Sequence, residues 1–305
     1  MNEWCAGKSN QTFDGTTGEI VAKQQASAVS WIAAVVVVIA IVAGGVYLAR
    51  KAMHSGAPAP TTRVLPTSTE TAPASTPVQH PIEQAQAGPA TASTAALPAL
   101  DDSDAGVASA LAALAGGSDL SSLLVSQQLI PRIVTTIDAL PRHDGLGTFT
   151  LPAHVPKGAF AVDEVDGATV IGAGNSARYA PYMQVVDATD PQALVAWYVR
   201  AYPLFQQAYR QLGYPKGYFN DRLIVVIDDL LAAPEPTQPP AVVHSKTFYV
   251  HADPALESLS TGQKLLLRIG SANEARIKAK LRAIRAGLIG QHLPAMPAAV
   301  DGRQP

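Results

Sequence analysis

Cysteine and charged residues are scarce in this sequence, and both shortages exclude classes of protein. Cys5 is the one cysteine among 305 residues, so the chain cannot form an internal disulfide framework or a cysteine-based zinc site. Charged residues make up 15% of the chain and the formal net charge is -2. A dedicated nucleic-acid-binding protein usually carries a basic excess, so nucleic acid is not expected as a partner.

The sequence also lacks the common motifs of catalysis and of cofactor or metal binding. It contains no P-loop, no GxGxxG after a predicted strand and no GxSxG. Its histidines show neither the HxxxH nor the HExxH spacing of zinc sites. We therefore predict no cofactor and no metal, and we favour a non-catalytic protein over an enzyme.

An uncharged apolar run, Trp31 to Ala49, is long enough to cross a membrane. As an α-helix it would span roughly 28 Å, close to the ~30 Å hydrocarbon core of a bilayer. Trp31 and Tyr47 lie near its ends, where interfacial aromatic residues are common. The run predicts a single transmembrane helix over 31–49 that contacts the lipid bilayer, preceded by a polar tail over 1–30.

Small residues inside this run offer a contact between two such helices. Ala40 and Gly44 stand four residues apart, a spacing that lets helix backbones approach closely in a membrane. A homodimer through the transmembrane helix is therefore one expected mode of association.

Two features predict opposite orientations for the helix. Arg50, Lys51 and Arg63 follow it while Lys23 precedes it, which by the positive-inside rule places the following domain in the cytoplasm. Residues 50–96, however, are rich in Ala, Pro and Thr, so they predict a disordered, semi-extended linker. Linkers of this kind are common in bacterial envelope proteins, and we favour an inner-membrane protein with a periplasmic domain.

From residue 97 to 289 the pattern predicts a mainly α (α+β) domain with a small β element, followed by a flexible tail over 290–305. A helix is expected to open at Ser118 and to kink or restart at Pro131. Residues 160–165 and 169–171 predict a β-hairpin, and 242–250 a third strand. The folded domain is thus expected to combine many helices with a hairpin or a three-strand element.

Two adjacent helices are predicted around residue 213. The positions Leu194, Tyr198, Ala201, Phe205, Ala208 and Leu212 form one helical stripe. Pro203 is expected to kink that helix or restart it.

Capping boxes are predicted at Ser260 with Gln263 and at Ser271 with Glu274.

Aromatic residues in the turn between these two helices mark the candidate binding surface. Turns are usually solvated, so their rings either fold back onto the core or line a cleft with neighbouring polar residues. The candidate residues are Tyr214, Tyr218, Asn220, Asp221 and Arg222.

Two other functions stay open at this stage. Asp221 and Asp228 share a helix face, about 10 Å apart along the axis, which suggests an enzyme acting on an envelope polymer through acids near Asp221. The last long helix carries Arg276, Lys278, Lys280, Arg282 and Arg285. These basic residues either bind a polyanion in the cytoplasm or flank a packed helix with their apolar stems.

Several long motifs resemble a known family. They are LPALDDSD at 97–104, LIPRIVTTIDALPR at 129–142, NSARYAPY at 175–182, YPLFQQAYRQLGYPKGYFNDRL at 202–223, and the stretch from Ala252 to Leu288. In this order they are similar to the proteobacterial domain of unknown function 3014 family. The resemblance implies a membrane anchor followed by an envelope domain, and it implies no activity or catalytic residue.

We therefore predict a single-pass membrane protein whose non-catalytic domain binds a cell-envelope partner, either a protein or a glycan.

Overall fold

The computed structural model describes residues 77–85, 96–143, 145–146, 150–246 and 248–290. The predicted polar tail, the predicted transmembrane helix over 31–49 and residues 291–305 lie outside these ranges. Within the described ranges, no helix has the length and hydropathy needed to cross a membrane.

Helices form most of the described chain, which confirms the prediction of a mainly α domain with a small β element. In chain order they are α1 Asp104–Leu114, α2 Leu129–Ala139, α3 Gly174–Arg178, α4 Ala180–Ala188, α5 Pro191–Gln211, α6 Phe219–Leu231, α7 Pro254–Glu257, α8 Thr261–Ile269 and α9 Ser271–Leu288. Short 3-10 turns lie at Ile82–Gln84 and Leu100–Asp102.

The longest helix, α5, lies at the centre of the packing and contacts both α2 and α9. The predicted stripe is buried from Leu194 to Ala208, as its spacing indicated. Leu212 is the exception, because it follows the last helical turn and is 37% exposed. The helix runs through Pro203 without a restart, so the alternative of a restart there is wrong, and the alternative of a kink stays a prediction.

The helix expected from Ser118 begins instead at Leu129. Gln128 has a left-handed backbone with φ 53°, which a helix does not continue through. The carboxylate of Asp104 accepts hydrogen bonds from the backbone N–H groups of Gln128 and Leu129, at 2.7 and 2.8 Å. A carboxylate from α1 therefore caps α2, and Pro131 falls in its first turn, where it removes no helical hydrogen bond.

The β residues form two two-stranded hairpins, so the predicted hairpin is confirmed, and its alternative, a three-strand element, does not form among the described residues. Strands β1 Val162–Val165 and β2 Ala168–Ile171 pair as expected. Residues 242–250, predicted as one strand, reverse direction between β3 Val242–Ser245 and β4 Phe248–His251. Lys246 adopts φ 54° in that turn, a conformation more typical of glycine or asparagine. Residues 242–250 contain neither glycine nor asparagine, so the sequence gives no turn signal at this position.

One of the two predicted capping boxes is present. Ser260 and Gln263 exchange backbone and side-chain hydrogen bonds at the start of α8, each 3.2 Å long. At α9, Gly270 occupies the N-cap position and no side chain caps the helix. The side chain of Glu274 lies 2.9 Å from Lys278 instead, because both residues face the buried side of the helix.

His251, at the end of β4, gives the domain a pH-sensitive position. Its ring is buried, and neither ring nitrogen has a hydrogen-bond partner among the described residues. Burial, assisted by the nearby Arg268 and Lys264 and opposed by Glu257 and Asp253, lowers the pKa of His251 to about 4. The folded protein therefore holds this imidazole neutral.

Acid should destabilise the domain through this residue. The pKa of His251 is lower in the folded state than its ordinary value of 6.5, so the unfolded chain binds more protons between pH 6.5 and 4 and the free energy of unfolding falls as pH falls. We expect His251→Leu to reduce this pH dependence in urea denaturation curves. His244→Gln, which removes an exposed histidine, should leave the dependence as it is in the wild type; equal slopes for all three proteins would contradict the assignment.

Candidate functional site

The five residues of the candidate binding surface lie around the start of α6, where they form two groups with different contacts. Tyr218, Asn220 and Asp221 contact residues 77–85. Tyr214 and Arg222 contact Asp138 at the end of α2. We call the first group the clasp and the second the Asp138 cluster.

The clasp binds the backbone of residues 77–85. The Asp221 carboxylate accepts hydrogen bonds from the N–H groups of Gln79 and His80, at 3.0 and 2.7 Å. Asn220 Nδ2 donates to the carbonyl oxygen of His80 at 2.8 Å. The Tyr218 hydroxyl accepts a 2.7 Å hydrogen bond from the N–H of Ile82. All four hydrogen bonds are thus made to main-chain atoms of the segment, and none of them involves one of its side chains.

Residues 77–85 fall within the predicted disordered linker over 50–96, yet they pack on the helical domain. Ile82 supplies the main apolar contact, since it is 9% exposed and belongs to the core. At its other end, the carbonyl of Gln84 lies so close to Gly290 that a Cβ there would come within 2.6 Å. A segment with one buried side chain, that of Ile82, is therefore held by backbone contacts at both ends.

A groove of about 510 Å³ lies beside the segment. Its aromatic and aliphatic walls come from Ile82, Val199, Tyr202 and Tyr218, its two prolines are Pro203 and Pro215, and its charged residues are Glu83, Arg210 and Lys216. The rings of Tyr202 and Tyr218 lie 5.5 Å apart between centroids. The groove therefore combines apolar walls with charged side chains at its rim.

Gln206 fixes the shape of the groove, and the sequence analysis did not single it out. Its Oε1 accepts hydrogen bonds from the Tyr202 hydroxyl at 2.7 Å and from the N–H of Phe219 at 2.9 Å. Its Nε2 donates to the carbonyl of Gly217 at 2.7 Å. A lone glutamine on an amphipathic helix carries no sequence signal that distinguishes this role from a solvated position.

Gly217 permits the close approach of the turn to α5. A Cβ at this position would lie 2.7 Å from Cε1 of Tyr209, well inside van der Waals contact. The Tyr209 and Tyr214 rings stack with centroids 4.6 Å apart. The turn aromatics therefore fold back onto the helix while Tyr218 still faces the groove.

The Asp138 cluster surrounds a buried carboxylate and is structural in character. Asp138 is 2% exposed, and its Oδ1 accepts a hydrogen bond from Arg222 Nε at 2.9 Å. Its Oδ2 accepts from Arg142 and, at 3.1 Å, from the Tyr214 hydroxyl. Arg222 also donates to the carbonyl oxygen of Asp138 at 2.6 Å. These contacts use the polar atoms of Tyr214 and Arg222 inside the domain and tie α2 to the start of α6.

The tyrosines of α5 are also buried in the core of the domain. Tyr198 is fully buried and its hydroxyl has no hydrogen-bond partner within the described ranges. Desolvation raises the pKa of that hydroxyl well above its ordinary value. The Tyr198 ring contacts Phe205 and Phe219 at centroid distances of 5.3 and 6.4 Å. The Tyr198 ring also lies 5.8 Å from the ring of Tyr202, which lines the groove.

The acids considered for catalysis are occupied by other contacts. Both oxygens of Asp221 accept backbone hydrogen bonds, while Asp228 forms a two-point ion pair with Arg285, with N–O distances of 2.5 and 3.1 Å. Across the described residues, no group of three or more His, Cys, Asp or Glu side chains has the arrangement needed to hold a metal ion.

Basic residues of α9 are likewise engaged within the domain. Arg276 pairs with Asp187, and Lys280 donates to the carbonyl oxygen of Thr189 at 2.5 Å. Lys278 is buried beside Glu274. These contacts match a packed helix with basic residues at its flanks better than a surface for a polyanion.

The comparisons with known proteins found one family. The family model described as Protein of unknown function (DUF3014) matches residues 129–285, just over half of the 305-residue chain. No curated protein and no solved structure matches the sequence. The matched region runs from the start of α2 into α9 and contains the clasp, while residues 77–85 precede it. The chain belongs to the domain of unknown function 3014 family.

Proposed function

We propose that this chain is a single-pass inner-membrane protein whose periplasmic, non-catalytic domain binds a protein of the cell envelope at the site that the groove and the clasp form. The apolar run over 31–49 and the Ala/Pro/Thr-rich residues that follow it support the anchor and the periplasmic placement. The observation that carries the binding function is the apolar groove lined by Tyr202, Tyr218 and Val199.

The chemistry of the groove favours a protein over a glycan. Apolar walls with a few polar groups are typical of sites that bury apolar ligand surface. The side-chain amide of Gln206 already makes three internal hydrogen bonds. A glycan would bring many hydroxyl groups, each of which loses free energy if it is buried without a partner. An apolar peptide side chain makes no such demand.

Charge on the rim favours an acidic partner. Within the part of the chain that the structure describes, neither Arg210 nor Lys216 forms an ion pair or a side-chain hydrogen bond. Both residues are exposed and line the groove. Complementary charge speeds encounter and fixes the register of a complex, so the partner segment is expected to combine an apolar side chain with a carboxylate.

Site-specific photo-cross-linking in living cells tests this function. A photoreactive amino acid at Val199, on the groove wall, should cross-link to a discrete envelope protein. Charge reversal with Arg210→Glu and Lys216→Glu should reduce that product at least tenfold, whereas Lys216→Arg should retain it. A probe at the exposed Val165, in β1, is the matched control because it does not line the groove.

Two results would overturn the proposal. One is that the probe at Val199 gives the same cross-linked products as the probe at Val165, and that charge reversal does not change them. The other is a topology reporter fused to the C-terminus that is active only in the cytoplasm, since envelope proteins of the periplasm could not then reach the groove.

A further inference from the structure

We propose that residues 77–85 are a displaceable occupant of the clasp, and that the partner protein replaces them with an extended segment of its own. This inference rests on the proposed protein-binding function and specifies how the site recognises its ligand. The membrane-proximal chain would then cover the site until a partner arrives.

The contacts of the clasp define what a competing segment must contain. Two consecutive backbone N–H groups bind the carboxylate of Asp221, and a carbonyl accepts from Asn220. A third N–H, two residues further on, reaches the Tyr218 hydroxyl. Because these contacts involve only main chain, many sequences satisfy them, provided that no proline removes a required N–H. Recognition of this kind suits an extended peptide.

Ile82 and Glu83 show the side chains that fit beside this backbone pattern. Ile82 is buried and Glu83 lines the groove together with Arg210 and Lys216. The segment thus brings the same combination, an apolar residue next to a carboxylate, that the groove favours in a partner. We infer that residues 77–85 mimic the bound segment of the partner protein.

The segment is held by few side chains, which makes displacement feasible. Ile82 is its one buried residue, and Val78 is 46% exposed. A covalently connected segment keeps a high effective concentration at its site even when its intrinsic affinity is low. Much of its occupancy therefore comes from the connection to the domain, and a partner with more contacts can replace it.

The site also has hydrogen-bonding capacity that the segment leaves unused. Asn220 is fully buried, and its Oδ1 accepts no hydrogen bond from any described residue. A buried acceptor without a partner costs free energy that a better ligand would recover. A partner segment that donates to Asn220 Oδ1 would gain affinity over residues 77–85.

A peptide-binding measurement on the full-length protein in detergent tests the inference. The probe is a fluorescent peptide with the sequence of residues 77–85, PVQHPIEQA. Ile82→Asp in the protein should release its own segment, so this variant should bind the peptide at least tenfold more tightly than the wild type. Adding Asp221→Ala should weaken that binding at least tenfold. A peptide with aspartate in place of its isoleucine is the control and should not bind.

A second variant covers the case in which Ile82→Asp disturbs folding. Gln79→Pro removes an N–H donor to Asp221 at an exposed position, so it weakens the segment without changing the core. It should also increase peptide affinity. Equal affinities for the wild type, Gln79→Pro and Ile82→Asp, with unchanged circular dichroism, would overturn the inference. Failure of the proposed function has a different signature, because Val199 would then give no specific cross-link even in a variant that binds the peptide.

Discussion

Replacing Asp138 with alanine is expected to lower the free energy of unfolding by about 3–5 kcal/mol, the range for removing one member of a buried ion pair. The carboxylate is 2% exposed and interacts with Arg222, Arg142 and Tyr214 at once. Its loss leaves Arg222, which is itself mostly buried, without its counter-charge. The effect should appear as a lower denaturation midpoint with an unchanged slope.

A carboxylate on the domain surface provides the matched control for Asp138. Asp228 also pairs with an arginine, Arg285, but both side chains are substantially exposed. Surface ion pairs contribute about 0–1 kcal/mol, so Asp228→Asn should have little effect on the unfolding curve. A loss below about 1 kcal/mol for Asp138→Ala, equal to that of the control, would show that the cluster does not stabilise the domain.

The elements predicted correctly are those with a local, repeated signal. The stripe of α5 follows from apolar side chains at helical spacing, and its residues from Leu194 to Ala208 are buried. Where local signals compete, sequence reasoning failed. Ser271 and Glu274 have the spacing of a capping box, but burial of Glu274 beside Lys278 takes precedence.

The candidate site was located by sequence only in part. Turn aromatics identified the region, and Tyr218 does line the groove. The contacts of Asp221 and Asn220 were not predictable, because their partners are backbone groups about 140 residues away in sequence. Hydrogen bonds to the main chain do not require particular side chains, so the sequence of residues 77–85 does not reveal them. Ile82, which supplies the main apolar contact, is not distinguished in the sequence from Val78, which is exposed.

Replacing Lys278 with methionine is expected to cost about 3–5 kcal/mol near neutral pH, because it leaves a buried carboxylate without its counter-charge. Lys278 is 1% exposed and its ammonium lies 2.9 Å from Oε1 of Glu274, which is 2% exposed. It also donates to the carbonyl of Ala233 at 2.6 Å and to Glu235 at 2.8 Å. Arg276→Met, on the exposed side of the same helix, is the control and should cost about 1 kcal/mol or less.

The pH dependence of this variant should identify Glu274 as the cause. Burial already raises the pKa of Glu274 above its ordinary value of 4.5, against the opposing effect of Lys278. Without Lys278 the folded-state pKa rises further, so stability is fully present below pH 4.5 and is lost as pH rises through the folded-state pKa. The deficit of Lys278→Met relative to wild type should therefore shrink between pH 7 and pH 4.

A double variant separates loss of the ion pair from loss of packing. Buried ion pairs can often be replaced by apolar residues of similar size without loss of stability. Glu274→Leu added to Lys278→Met should therefore recover at least half of the lost free energy and remove the part of the pH dependence that Glu274 contributes. If the double variant is no more stable than Lys278→Met and keeps the same slope with pH, the uncompensated carboxylate is not the origin of the deficit, and the lost contacts to Ala233 and Glu235 are.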